Sequence, residues 1–221
     1  MTATTPTAER PDIREMVVVH RAFRREFGAS PAYVREVAPG DTARAALVAD
    51  HLRLVMGGLE MHHTGEDVVL WPLLLERAAP STGLVETMQA QHHAVDGYAD
   101  QVGPLLAAWE RGPTVEAGEE LAALIERFTA ALVEHLDLEE REILPLCLHH
   151  VTAAEWASMG DHGVEKMTKR QLPLLFGAVL EECDAAERRL MVSHLPAPVR
   201  LFLRTIGAWQ YRRYVTALRG R

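Results

Sequence analysis

The chain has 221 residues, 48% of them hydrophobic and 24% charged, enough for one generous core plus an appendage. A formal charge of −8 and a pI near 5.8 argue against an electrostatic grip on nucleic acid or on an anionic membrane. No run approaches the roughly 18 apolar residues of a membrane span, and Cys147 and Cys183 are too few for a disulfide framework, so a reducing cytoplasm is the expected compartment.

Residues 1–10 are polar and Thr-rich, without the apolar stretch of a signal peptide, and are expected to be a loose, disordered tail. A first helix is predicted from Pro11-Asp12 to Gly28, with Ile13, Met16, His20, Phe23 and Phe27 along one face. Ser30-Pro31 should cap a short separate piece that ends at Pro39-Gly40. Asp41 or Thr42 then caps a long second helix whose inner stripe includes His51, Val55, His62, Glu66, Val69 and Leu73. After the turn at 79–83 a third helix carries Met88, His92 and Val95, and after Gly112-Pro113-Thr114 a fourth presents Phe128, Leu132, His135, Glu139 and Glu142.

Beyond Val151 the helices shorten, and Thr152–Glu155 and Thr168–Gln171 both spell capping boxes. The final helix, after Pro196 and Pro198, is rich in arginine and reads as a solvated helix end. No stretch alternates as a strand does. The expected fold is all-α: an antiparallel four-helix bundle over 11–150 with a C-terminal helical extension, 151–221, packed on it.

The chemistry lies in an internal repeat. His62, Glu66, Asp67 and Pro72 reappear as His135, Glu139, Glu140 and Pro145, at an offset of 135 − 62 = 73 residues. His20 and His92 are 92 − 20 = 72 apart. Each half thus supplies one lone histidine and one His-x-x-x-Glu. On a helix, residues i and i+4 stand one above the other, so each pair offers a nitrogen and a carboxylate to the bundle interior. Buried carboxylates and imidazoles are costly unless something compensates, and divalent cations would do so. The candidate metal ligands are His20, His62, Glu66, His92, His135 and Glu139.

These residues resemble the haemerythrin-like (HHE) cation-binding family, over roughly residues 12–148 and in the order His20, His62-x-x-x-Glu66, His92, His135-x-x-x-Glu139. Glu155-Trp156 and 195–199 look like the tail of larger actinobacterial members. The resemblance implies a left-handed four-helix bundle holding two iron ions with an oxo or hydroxo bridge, the two glutamates bridging or capping them. It also implies a small oxidant (O2, hydrogen peroxide or nitric oxide) as ligand, with catalase- or peroxidase-like turnover as one activity. A non-catalytic sensor, carrier or store is the alternative, and zinc or manganese ranks below iron. Oxygen-carrying members use His-x-x-x-His in the third helix and an Asp five residues after the last His. Here those places hold Asp96 and Glu140. The missing fifth histidine favours peroxide or nitric oxide chemistry over reversible oxygen carriage.

The remaining candidates are ordered by register. His92 keeps step with Met88 and Val95, so it is preferred over His93. His63 lies 100° round the helix from His62 and is expected at the surface or behind the ligands. His51 is about 16 Å along the helix, too far to share a metal, and reads as a paired core histidine. Asp67 and Glu140 are expected to hold ligand N–H groups or to face solvent. His149, His150 and His194 read as surface groups, and His162, between glycines, as a turn or a lid residue over the metals. The cysteines and the tryptophans Trp71, Trp109, Trp156 and Trp209 read as packing. A protein partner or dimer is left open.

Overall fold

The first helix runs through Gly28, expected to end it, and through Ser30-Pro31, expected to cap a separate piece. In a computed structural model, which describes residues 9–193 and 195–220 (backbone only for Pro80 and residues 160–166), α1 is continuous over Arg14–Arg35. Proline at 31 cannot donate to the Phe27 carbonyl, which normally breaks a helix. Here Ser30 Oγ donates to Glu26 O at 2.7 Å, while Thr129 Oγ1 on the fourth bundle helix donates to Ile125 O at 2.7 Å and lies 3.5 Å from the Phe27 carbonyl. Phe27, Pro31 and Val34 are all buried, so packing overrides the local stop signal. The expected tail falls mostly on residues 1–8, outside the described residues.

Asp41 accepts from the Arg44 N–H at 2.9 Å and starts α2 (Thr42–Gly65). This helix continues through a π turn, Glu66–Leu70, into α3 (Trp71–Arg77). The third bundle helix is α4 (Thr82–Arg111). The fourth, α5 (Val115–Leu138), is capped by Thr114 and passes through a second π turn, Glu139–Ile143, into α6 (Leu144–His150). The N–H groups of Trp71 and Leu144 donate to the carbonyls of Glu66 and Glu139, five residues back. Each turn inserts one residue, so the inward stripe slips by one. Leu70 and Leu74 are buried where Val69 and Leu73 were expected, and Ile143 is buried while Glu142 is exposed. Pro72 and Pro145 follow directly, where a missing donor costs little because the ladder is already broken. Such turns in helices are frequent at functional sites.

α1 packs on α2 and α5, and α4 packs on the same two, which closes an antiparallel four-helix ring. Its interior has an end layer around Leu52, Trp109 and Leu121 and a middle layer around Phe27, Phe128 and Leu132. The opposite end is filled around Leu70, Met88 and Ile143.

The extension comprises α7 (Ala153–Lys166), α8 (Leu172–Glu182), α9 (Ala185–Ser193), α10 (Ala197–Phe202) and α11 (Ala208–Arg219). Both expected capping boxes form: Thr152 N–H donates to Glu155 at 3.0 Å, and Thr168 N–H donates to Gln171 at 3.0 Å. A third, Asp184 with Glu187, starts α9. α7 and α8 lie on α2, α8 and α9 lie on α1, and α11 packs on α8 and α2. His51 is the paired core histidine expected: Tyr214 of α11 meets its Nδ1 at 2.6 Å, and Glu26 faces its Nε2 at 3.5 Å. Burial, then the charges of Arg219 and Arg25, pull its pKa down to about 4. The last helix is not simply solvated. Arg219 turns inward and pairs with Glu181 at 2.7 Å and Glu26 at 3.7 Å. Trp209, expected to be packing, is instead 50% exposed with Arg213 over its ring. Cys147 is buried, whereas Cys183 is only partly so.

Gly177 sets how closely α11 approaches α8. A Cβ there would lie 2.3 Å from Tyr211 Cγ, closer than carbon atoms can come. Gly177→Ala is expected to push α11 away and lower stability by about 1–3 kcal/mol, since overpacking a tight contact costs that much. A melting-temperature comparison checks it; an unchanged or higher melting point would show that α11 docks elsewhere.

Candidate metal centre

The middle layer and the Met88 end of the core are separated by polar side chains. His20, Glu66, His135 and Glu139 are fully buried, and His63 and His92 nearly so. They form two groups whose ligand atoms lie within 4.8 Å of one another: His63, His92 and His135, and His20, His62, Glu66 and Glu139. All six predicted candidates therefore meet in one volume.

The carboxylates link the groups. Glu66 places Oε1 3.2 Å from His62 Nε2 and Oε2 3.2 Å from His92 Nε2. Glu139 Oε2 lies 3.3 Å from His20 Nε2 and 3.8 Å from His135 Nε2. Each glutamate thus faces one histidine of each group. His20 Nε2 and His62 Nε2 also point at each other, 3.1 Å apart.

The outer nitrogens are fixed. Asp67 Oδ1 lies 3.0 Å from His92 Nδ1, and Glu140 Oε1 lies 2.9 Å from His20 Nδ1. Each carboxylate accepts an N–H there, leaving the Nε2 lone pair for the interior. Arg24 donates to Glu140 at 2.7 Å and orients it. Asp67 and Glu140 are repeat equivalents, so the expected supporting role falls on the same position of both halves. His92 is buried and His93 exposed, as register implied.

Of the two places expected for His63, burial excludes the surface. The residue is 3% exposed, stacks on His92 with ring centroids 4.0 Å apart, and meets His135 at 5.1 Å. A bundle helix has two inner neighbours: His62 faces His20 on α1, while His63 faces α4 and α5. Its signal lay in the repeat. Position 63 corresponds to 63 + 73 = 136, and Leu136 is fully buried. A fifth inward histidine is therefore present on α2, while Asp96, four residues after His92, is exposed. The side chain of His162 and all of His194 lie outside the described residues.

Among the described residues, nine of the thirteen buried side-chain atoms without a hydrogen-bond partner belong to His63, Glu66, His92, His135 and Glu139. So many orphaned donors and acceptors in one place would be a heavy penalty unless a cation engages them. Burial, with Glu66 beside it, raises Glu139 to about 8; burial also raises Glu66, with Asp67 adding to it. Burial and the neighbouring imidazoles His92 and His20 lower His135 to about 3, and burial likewise lowers His62 and His63. His62, His63 and His135 are therefore neutral and ready to donate lone pairs, and without a cation burial favours the protonated form of Glu66 and Glu139.

The pH dependence follows with opposite signs. A carboxyl raised from 4.5 to about 8 contributes stability below 4.5 that is lost as pH rises through 8. A histidine lowered from 6.5 to about 3 contributes stability above 6.5 that is lost as pH falls through 3. Metal-free protein is expected to melt highest between about pH 4.5 and 6.5, whereas bound cations keep the carboxylates ionised. The melting-point gain from metal should grow between pH 5.5 and 8. A gain that shrinks over that range would contradict these protonation states.

The site fits a cation-binding family. The model of the hemerythrin HHE cation binding domain matches residues 12–147, the span from just before α1 into α6. No curated protein and no solved structure matches the chain. No helix among the described residues is long and apolar enough to cross a membrane. With its family match over most of its length and every histidine–glutamate pair of the bundle turned inward, the chain belongs to the hemerythrin HHE cation-binding family.

Proposed function

We propose that the chain is a non-haem di-iron protein that binds small oxidants. His63, His92 and His135 would hold one iron and His20 and His62 the other, with Glu66 and Glu139 placed to serve both. The observation that carries this reading is the placement of each glutamate against one histidine from each cluster. A mixed imidazole and carboxylate donor set suits iron, while a structural zinc site takes four donors at a single ion. Iron bound there supplies the redox change needed to bind or reduce O2, hydrogen peroxide or nitric oxide.

The protein's own groups do the rest. Asp67 and Glu140 hold the N–H groups of His92 and His20, which fixes their rings and raises their basicity. The leucine, methionine and phenylalanine layers on either side keep bulk water out. The two-histidine position has one side-chain donor fewer, and His62 has 10% of its side chain exposed, so the small ligand enters there. Two free cysteines fit a reducing cytoplasm.

A sensor reading is supported by one contact. α7 closes on α2 beside Glu66: a Cβ on Gly65 would lie 3.1 Å from Met159 Cγ. A change at the metals would thereby be felt in the extension. Hydrogen peroxide added to iron-loaded protein separates the readings. Continued gas evolution supports turnover, and a single spectral change without turnover supports a sensor or carrier. No response in protein holding two irons would contradict oxidant binding.

A further inference from the structure

Between the bundle and the extension lies a cavity of about 580 Å³. This is within the ~300–1,000 Å³ typical of small-molecule sites. It follows the groove between α1 and α2, and α7, α8 and α9 roof it. Along α1 it extends from Glu15 to Glu26, about 16 Å at ~1.5 Å per residue, so it is elongated. Its walls are mainly apolar. Phe23, Val55, Trp156, Leu175 and Phe176 line it, together with five of the chain's eight methionines: Met16, Met61, Met159, Met167 and Met191. Methionine surfaces adapt to varied apolar shapes.

Two features show what the cavity is for. His62 forms part of its wall, so its contents lie against the two-histidine side of the metal centre. Two of its acids have a counter-charge from outside the lining: Asp12 is held by Arg14, and the buried Glu26 by Arg25 at 2.6 Å. Four acidic residues line it against one cation, Arg10, which disfavours an anionic headgroup. We propose that this cavity is a binding site for an uncharged, elongated, largely apolar small molecule, held beside His62. Binding rests on the cavity alone; only the placement beside a metal rests on the di-iron reading. A ligand there covers one approach to the two-histidine position and so tunes which small molecules reach it.

The test uses the full chain, with and without iron, and the uncharged fluorophore N-phenyl-1-naphthylamine. Uptake with enhanced fluorescence is expected in both states, with displacement by 1-dodecanol and at least tenfold weaker displacement by dodecanoate. Val179→Trp on α8 and Met191→Trp on α9 each fill the cavity from the extension, away from the histidines. Each should weaken 1-dodecanol binding at least tenfold while leaving metal content and melting point unchanged. In iron-loaded protein, saturation with 1-dodecanol should shift the optical spectrum of the metals. No uptake, equal displacement by dodecanoate, or binding indifferent to both tryptophan variants would overturn the proposal and leave the di-iron reading intact. Uptake by a protein that cannot hold two irons would support the cavity and defeat that reading separately.

Discussion

Glu66→Gln and Glu139→Gln are each expected to abolish loading of two metals per chain while leaving the fold in place. Each carboxylate faces a histidine of both clusters, so an amide removes a charge and an anionic donor from both positions at once. Losing only an outer partner of a ligand costs roughly 10–100-fold in metal affinity, which sets the floor for losing a shared one. Without metal the sign reverses. Burial keeps both carboxyls protonated at mildly acidic pH, and an uncharged amide resembles that form. Metal-free Glu139→Gln should therefore melt no lower than the parent at pH 6 and higher at pH 8. Calorimetry with metal analysis checks both arms. Retention of two tightly bound metals by either variant would show that the carboxylates do not bridge.

His63→Phe is expected to reduce metal loading from two per chain to one. Phenylalanine keeps a flat ring to stack on His92, so the packing seen at 4.0 Å survives while the nitrogens are lost. The three-histidine cluster then has only His92 and His135. His20 and His62 remain, so the surviving metal is expected on their side. His93→Phe changes an exposed residue and should leave both metals in place. Equal metal content in the His63 variant and the parent would assign His63 to packing alone.

The difference between what sequence displayed and what it concealed has a physical origin. Four amphipathic helices and the inward histidines at 20, 62, 92 and 135 were legible because a 3.6-residue period places i and i+4 on one face. The repeat at an offset of 73 also carried over Glu66 to Glu139 and Asp67 to Glu140. Register after the glutamates was not legible. A uniform period cannot show a π turn, so Val69 and Glu142 were read inward where Leu70 and Ile143 are buried. Pro72 and Pro145, each placed just after such a turn, were the available sign. His63 was set aside because a single stripe was drawn on α2, although a bundle helix buries two adjoining ones. Leu52, Leu59 and Leu70 keep step with His63 at seven-residue or four-residue intervals, and all are buried. The continuity of α1 through Pro31 was concealed because the packing that buries Phe27, Pro31 and Val34 comes from α5, far along the chain.

The asymmetry between the two side-chain clusters comes down to one residue pair. Where α2 has His63, the equivalent position in α5 has Leu136, packed with the phenylalanines of the middle layer. Two near-equal hairpins would give two equal metal positions; this exchange leaves one side with three imidazoles and the other with two. The second side is also where His62 lines the apolar cavity beneath the extension. Both the smaller number of histidines and the access to the cavity therefore fall on the same cluster.

The most direct measurement is iron content after anaerobic loading and exposure to air, read together with the Mössbauer spectrum of the same sample. Two irons per chain, spin-coupled and present as two distinct sites, are expected from paired carboxylates between unequal histidine clusters. One iron per chain, no iron, or two irons without magnetic coupling would contradict a bridged centre.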